Sequence, residues 1–448
     1  MAAEHGEGHG LKRLIGPWLL LLFIIGDLLG TGIYAITGEV ARFVGGAVWL
    51  PFLLAVFVAL FSACSYLELV TKYPRAAGAA YFVHRAFDAR AITFVVGFAV
   101  MCSGMTSAST ASRAFAANFS DAFGLGLRGG SGVTFVAMGF LLAVAAINWR
   151  GVGESLIANV ILTCVELTGL LIVIGIGFWA IGTGQADASR ALDFTPADGS
   201  LGWSAVTATT LAFFAMIGFE DSVNMVEETK NPTRTFPRAM LLGLGATATI
   251  YVLVSISAVA LVPPEKLAGD DTPLLTAVQA GAPGFPLWVF GIITMFAVAN
   301  TALLNMLMAS RLVYGMSRER VLPAALGAVH ATRRTPVVAI VFTTVLALLL
   351  VGLVGEIPAL AGTTTLLLMC VFAVVNVAVL VLRRERVEHA HFRTPTALPV
   401  LGAATCVFFV GPWSGRAAEQ YAVAGILLGV GVLLWFATRH AGRPGAGG

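Results

Sequence analysis

Four carboxylates of this chain stand inside otherwise apolar stretches: Asp27, Glu166, Glu220 and Asp221. At the centre of a bilayer such a group costs about 2.5–3.5 kcal/mol on insertion scales. It is stable only when a cation, a proton or several hydrogen-bond donors compensate it. The chemistry open to these residues is therefore recognition of a positive charge, or uptake and release of a proton. Asp27 lies in the heptad GDLLGTG at 26–32, where three glycines each weaken a helix by about 1 kcal/mol relative to alanine. Two readings are open for it: contact with a substrate cation or coupling ion, or capping of a broken helix. Glu220 and Asp221 follow Ile217-Gly218-Phe219 in a second apolar run. Neighbours on a helix project about 100° apart, so one of the pair faces a solute path. Glu220 is assigned that face, and Asp221 the capping role. Glu166 follows Thr163-Cys164-Val165 and reads either as a coupling group or as a hydrogen-bonded structural acid.

The elements that must hold these residues follow from composition. The 448 residues are 58% hydrophobic and 11% charged, whereas soluble domains carry roughly 25% charge. A soluble enzyme and a disordered chain are both excluded. No paired acid–base constellation or metal-ligand spacing appears, so no catalytic residue, metal or cofactor is expected. The five cysteines (Cys64, Cys102, Cys164, Cys370, Cys406) are scattered through apolar runs and read as packing residues. No basic block interleaved with aromatics suggests nucleic acid. Twelve apolar runs, the first at 14–40 and the last at 421–436, are each near the roughly 20 residues a spanning helix needs. An all-α integral membrane protein with twelve transmembrane helices follows.

Most of the 27 basic residues fall in alternate loops, including Lys12, Lys72, Arg75, Arg85, Lys230, Arg234, Arg238, Arg333 and the Arg383–Arg386 stretch. Arg42, Arg128, Arg190, Lys266 and Arg416 occupy the other loops. The positive-inside rule then makes both termini cytoplasmic, which also requires an even number of spans. The glycine-rich break of the first helix recurs five helices later at Gly218. Paired interruptions in corresponding halves point to a midplane binding site between inverted repeats. The expected division is a tail at 1–13, a transporter domain at 14–438 and a tail at 439–448. Within the domain, helices 1–5 (14–182) and 6–10 (202–383) form the two five-helix repeats, with helices 1 and 6 broken. Helices 11 and 12 (396–438) lie outside them.

Residues 26–34 (GDLLGTGIY), 62–83 (SACSYLELVTKYPRAAGAAYFV), 147–155 (INWRGVGES) and 213–240 (FFAMIGFEDSVNMVEETKNPTRTFPRAM) resemble signatures of the amino acid–polyamine–organocation permeases. The resemblance implies a LeuT-like fold. It implies that Thr31 and Gly32, with Gly30 allowing the chain to unwind, offer backbone N–H groups to a substrate carboxylate. Leu28, Phe214 and Ile217 would offer carbonyls to the substrate amine beside Gly218, and Phe214 falls where many members place an aromatic gate. Glu220 matches a commonly acidic position linked to proton-dependent gating. Glu166 departs from the pattern, standing where some proton-coupled members carry a lysine. The loop at 118–132 lacks the cysteine that animal members use for a heavy-chain disulfide, so no such partner is expected.

The combined expectation is a secondary transporter of the cytoplasmic membrane that moves cationic amino acids, polyamines or related organic amines by alternating access. Neutral amino acids and an inorganic cation are the alternatives. The partners expected are that small solute, a proton in preference to sodium, and membrane lipid. The proton is preferred because close carboxylates repel when both are ionised, and a shared proton relieves this.

Overall fold

The structure, a computed structural model, describes residues 15–74, 78–127, 130–150, 156–195, 200–318, 322–330 and 335–441. Outside these lie the first fourteen residues, Arg75, Arg128, the end of the INWRGVGES signature from Gly151, Arg320, Arg333, Arg334 and the C-terminal tail from Gly442. Among the described residues the chain is helical, with no strand and only two isolated bridges, Ile15–Thr229 and Gly45–Phe194. That is what long apolar runs dictate in lipid, where each backbone polar group must be satisfied within its own segment.

In order come α1 (Pro17–Val44), α2 (Trp49–Lys72), the short α3 (Gly78–Phe87), α4 (Arg90–Ala122), α5 (Ser131–Arg150) and α6 (Leu156–Gly182). There follow α7 (Leu201–Ala212), α8 (Pro232–Leu261), the short α9 (Pro264–Leu267) and α10 (Pro273–Gly281), and α11 (Leu287–Arg318). The chain ends with α12 (Val337–Leu353), α13 (Ile357–Leu382), α14 (Ala397–Val410) and α15 (Ala418–Ala441). α7 continues through 3-10 turns, so that Leu201–Glu228 forms one long apolar segment.

Counting that segment, ten among the described residues are long and apolar enough to cross a membrane. The twelve-span expectation thus meets ten full-length segments and two shorter apolar helices, α12 of 17 residues and α14 of 14. The second is short because Gly411-Pro412 ends it early: proline offers no N–H and clashes with the preceding turn.

Two breaks interrupt the regular helices. Gly30 in α1 has φ 11° and ψ −154°. After α7, Ile217 is extended (φ −78°, ψ 138°) and Gly218 takes φ 132°. α1 packs on α6, α7 and α8, while α4 runs along α11. The two breaks consequently face one another at the centre of the bundle.

One end of the bundle is basic and closely tied. Glu68 of α2 is 2% exposed and accepts both arms of the Arg383 guanidinium, at 2.8 and 2.7 Å. It also accepts the Thr394 N–H at 2.9 Å. Lys72 caps the end of α13 by donating to the carbonyls of Leu382 and Glu385, each at 2.7 Å. Tyr73 and Arg85 both donate to the Glu385 carboxylate. Burial, together with that carboxylate, pushes the Tyr73 hydroxyl up to about 12. Just inside this end, Tyr66 makes edge contacts with Phe82, Phe219 and Phe372, joining α2, α3, the second break and α13.

Candidate functional site

Between the two breaks lies a cavity of about 20 Å³, room for little more than one water molecule. Asp27, Leu28, Gly30, Thr31, Gly32, Phe214, Ile217, Gly218 and Asp221 all line it. Eight of these nine are the residues to which sequence reasoning gave substrate contact. The ninth is Asp221. Ser107 of α4 and Thr301 and Asn305 of α11 complete the wall.

The glycines explain how closely the walls meet. A Cβ on Gly32 would fall 2.4 Å from the Ala215 Cα, so this glycine allows α1 and the second broken segment to touch backbone to backbone. Gly218 combines its positive φ with close approach: a Cβ there would meet the Asp27 carbonyl oxygen at 2.7 Å and the Asp27 carboxyl carbon at 3.0 Å. At such a φ glycine alone is free of steric penalty.

The exposed backbone groups at the breaks are partly engaged. The Thr31 N–H, expected to face a substrate carboxylate, donates to the Thr301 hydroxyl at 3.2 Å. The Leu28 carbonyl, expected to face a substrate amine, lies 2.5 Å from the Tyr251 hydroxyl of α8. That hydroxyl also lies 3.2 Å from the Leu29 carbonyl and 2.9 Å from the Ala215 carbonyl. One buried phenol therefore joins both breaks. The Phe214 carbonyl accepts the Ile217 N–H at 3.4 Å. Phe214 itself lines the cavity, while its neighbour Phe213 packs into the core against Phe372.

The carboxylates divide differently from expectation. Glu220 folds back, and its Oε2 accepts the Gly218 N–H at 2.9 Å. Asp221 is the one on the cavity wall. The backbone turn at Ile217-Gly218 is the reason, because it replaces the straight-helix projection on which Glu220 was assigned the solute path. Asp27 lines the cavity with its Oδ2 buried and without a hydrogen-bond partner. Glu166 lies outside the cavity lining on α6, fully buried, and neither of its carboxylate oxygens has a partner. Its backbone carbonyl accepts the Tyr34 hydroxyl at 3.0 Å. Among the described residues no cluster of histidine, cysteine and carboxylate side chains is arranged to hold a metal.

An amino acid permease family model matches residues 15–435. The chain belongs to the amino acid permease family. As a permease it is a transporter of amino acids and not an enzyme. It is 29% identical to a branched-chain amino acid permease of Bacillus subtilis, over 98% of this chain and 96% of that protein. It is 27% identical to a methylthioribose transporter of the same organism, over 97% and 95% of the two chains. To the chloroplastic cationic amino acid transporter 9 of Arabidopsis thaliana the identity is 29%, over 74% of this permease and 60% of the plant protein.

Residues missed at the sequence level are Tyr251, Thr301 and Ser107. Each is one hydroxyl in a long helix, Ser107 among several in the MTSASTAS run, and no motif singles it out. Asn305, which reads better from sequence as interhelical hydrogen-bonding material, lines the cavity and also donates to the Thr301 carbonyl at 2.9 Å. Thr364 of α13 pairs with Thr106 of α4 at 2.7 Å, a hydrogen bond between helices.

Proposed function

We propose that this permease moves cationic amino acids or related organic amines across the cytoplasmic membrane by alternating access, coupled to protons or by exchange. In this reading helices 1–5 and 6–10 work as inverted repeats about the two breaks, and both termini are cytoplasmic. One observation carries the substrate class. Asp27 presents an unpartnered Oδ2 at a cavity wall that also holds Asp221 and no basic residue. A substrate ammonium compensates one carboxylate, and a second positive group on the substrate compensates the other. Glu166, buried with both oxygens free, supports the coupling role, since a proton is the smallest group that neutralises it without a cavity.

A neutral, branched substrate is the second reading. The apolar lining from Leu28, Phe214 and Ile217 favours it, as does the name of the Bacillus relative. Asp27→Asn separates the two by keeping the shape and removing the charge. The expected outcome is a fall of about tenfold or more in affinity for lysine, arginine and agmatine, as for loss of a charge-assisted hydrogen bond. Affinity for leucine should change little. Equilibrium binding of each ligand to purified protein makes the measurement, and unchanged affinity for every cationic ligand would refute the cationic reading.

A further inference from the structure

A second cavity, of about 440 Å³, opens at the basic end. Arg234, Pro237 and Arg238 from the first turns of α8 form one wall, and His391 and Phe392 from the segment after α13 form the other. Both arginines are exposed, and among the described residues neither has an acidic partner. Arg234 and Pro237 belong to the NPTRTFP stretch that the site between the breaks does not use.

The arginines continue into a surface suited to lipid. Positions four apart share a helix face, and Arg234, Arg238 and Leu242 follow that spacing. Leu242 is 62% exposed and Leu241 is exposed beside it. One turn further, exposed Gly245 has open space where a Cβ would stand. Two guanidinium groups therefore sit at the foot of an apolar outward-facing stripe, where the headgroups of the adjoining leaflet lie. The opposite wall is anchored: the Phe392 N–H donates to Thr71 Oγ1 at 3.0 Å, and two residues on Thr394 holds Glu68.

We propose that this cavity holds the phosphodiester headgroup of an anionic phospholipid, gripped by Arg234 and Arg238, with an acyl chain lying along Leu242 and Gly245. Guanidinium groups match phosphate oxygens in charge and geometry. The bound lipid bridges the foot of α8 to the segment that closes over the end of α2. The site stands apart from the solute cavity and holds for any substrate.

Purified full-length permease in mixed micelles supplies the test, with retained phosphatidylglycerol counted by native mass spectrometry and the unfolding midpoint followed. Phosphatidylglycerol should remain bound and raise the midpoint above that in phosphatidylcholine. Arg234→Gln/Arg238→Gln should weaken its retention roughly 30-fold and abolish the shift. Arg384→Gln/Arg386→Gln removes the same charge from exposed positions outside the cavity and should retain the lipid. Equal loss in both double variants, or none in the first, would overturn the site in favour of a generally basic surface. Inorganic phosphate and glycerol 3-phosphate should give no shift. A shift from either as large as that from phosphatidylglycerol would replace the lipid with a soluble phosphate. Should the first double variant not fold, Arg234→Gln and Arg238→Gln are read singly against the wild type.

Discussion

Glu68→Gln tests the tie at the basic end most directly. The side chain keeps its shape, loses its charge and faces Arg383 with one acceptor where it had two. Removing one member of a buried ion pair costs about 3–5 kcal/mol, because the other is left charged and unmatched. Arg383 is 13% exposed and retains hydrogen bonds to the Thr394 carbonyl and Thr396 Oγ1, which places the cost near the lower end, about 3 kcal/mol. Arg383→Gln should cost a similar amount by leaving Glu68 buried with only the Thr394 N–H. In Glu68→Gln/Arg383→Gln no charge is left unmatched, so the double variant should lose clearly less than the sum of the two, by about 2 kcal/mol. Equilibrium unfolding in mixed micelles of dodecyl maltoside and dodecyl sulfate measures all four proteins of the cycle. Losses that add within about 0.5 kcal/mol would show that the two groups do not depend on each other, and the reasoning fails.

Two further outcomes are expected. Tyr251→Phe removes the single O–H whose shortest contact is the Leu28 carbonyl, leaving that buried acceptor without this donor at a cost of about 1–3 kcal/mol; wild-type stability in the same unfolding assay would contradict this. Glu166→Gln should abolish substrate accumulation driven by an imposed pH gradient in proteoliposomes while leaving exchange intact, and accumulation at the parental rate would remove Glu166 from the coupling path.

Eight of the residues lining the cavity between the breaks could be named from sequence because charge and glycine in apolar runs are local signals. Asp27 and the breaks at Gly30 and Gly218 could be read from a few neighbouring residues, and the non-helical backbone lies at those glycines. What could not be read was convergence over distance. Thr301 reaches Thr31 across 270 positions, and Tyr251 reaches Leu28 across 223. Each is unremarkable in its own helix. The placement of Asp221 on the cavity wall, with Glu220 on the Gly218 N–H, was hidden for a different reason: their directions depend on the turn at Ile217-Gly218, and a helical wheel assumes that no turn is present. For Gly32 the motif implied an N–H offered to a carboxylate, but its close approach to Ala215, on another segment, could not be read.

The size of the cavity between the breaks has a consequence for affinity. Ligand sites usually enclose about 300–1,000 Å³, against about 20 Å³ here. On the site proposed above, admitting an amino acid means parting surfaces that touch at Gly32 and Ala215, and exchanging the Thr31–Thr301 and Tyr251–Leu28 hydrogen bonds for bonds to the solute. Binding therefore works against cohesion already present in the protein, and the observed dissociation constant equals the intrinsic one divided by the fraction of molecules already open. Weak apparent binding is then compatible with a well-matched site. Substitutions that loosen the contact between the two broken helices, without touching any group that meets the solute, should tighten apparent binding by raising the open fraction.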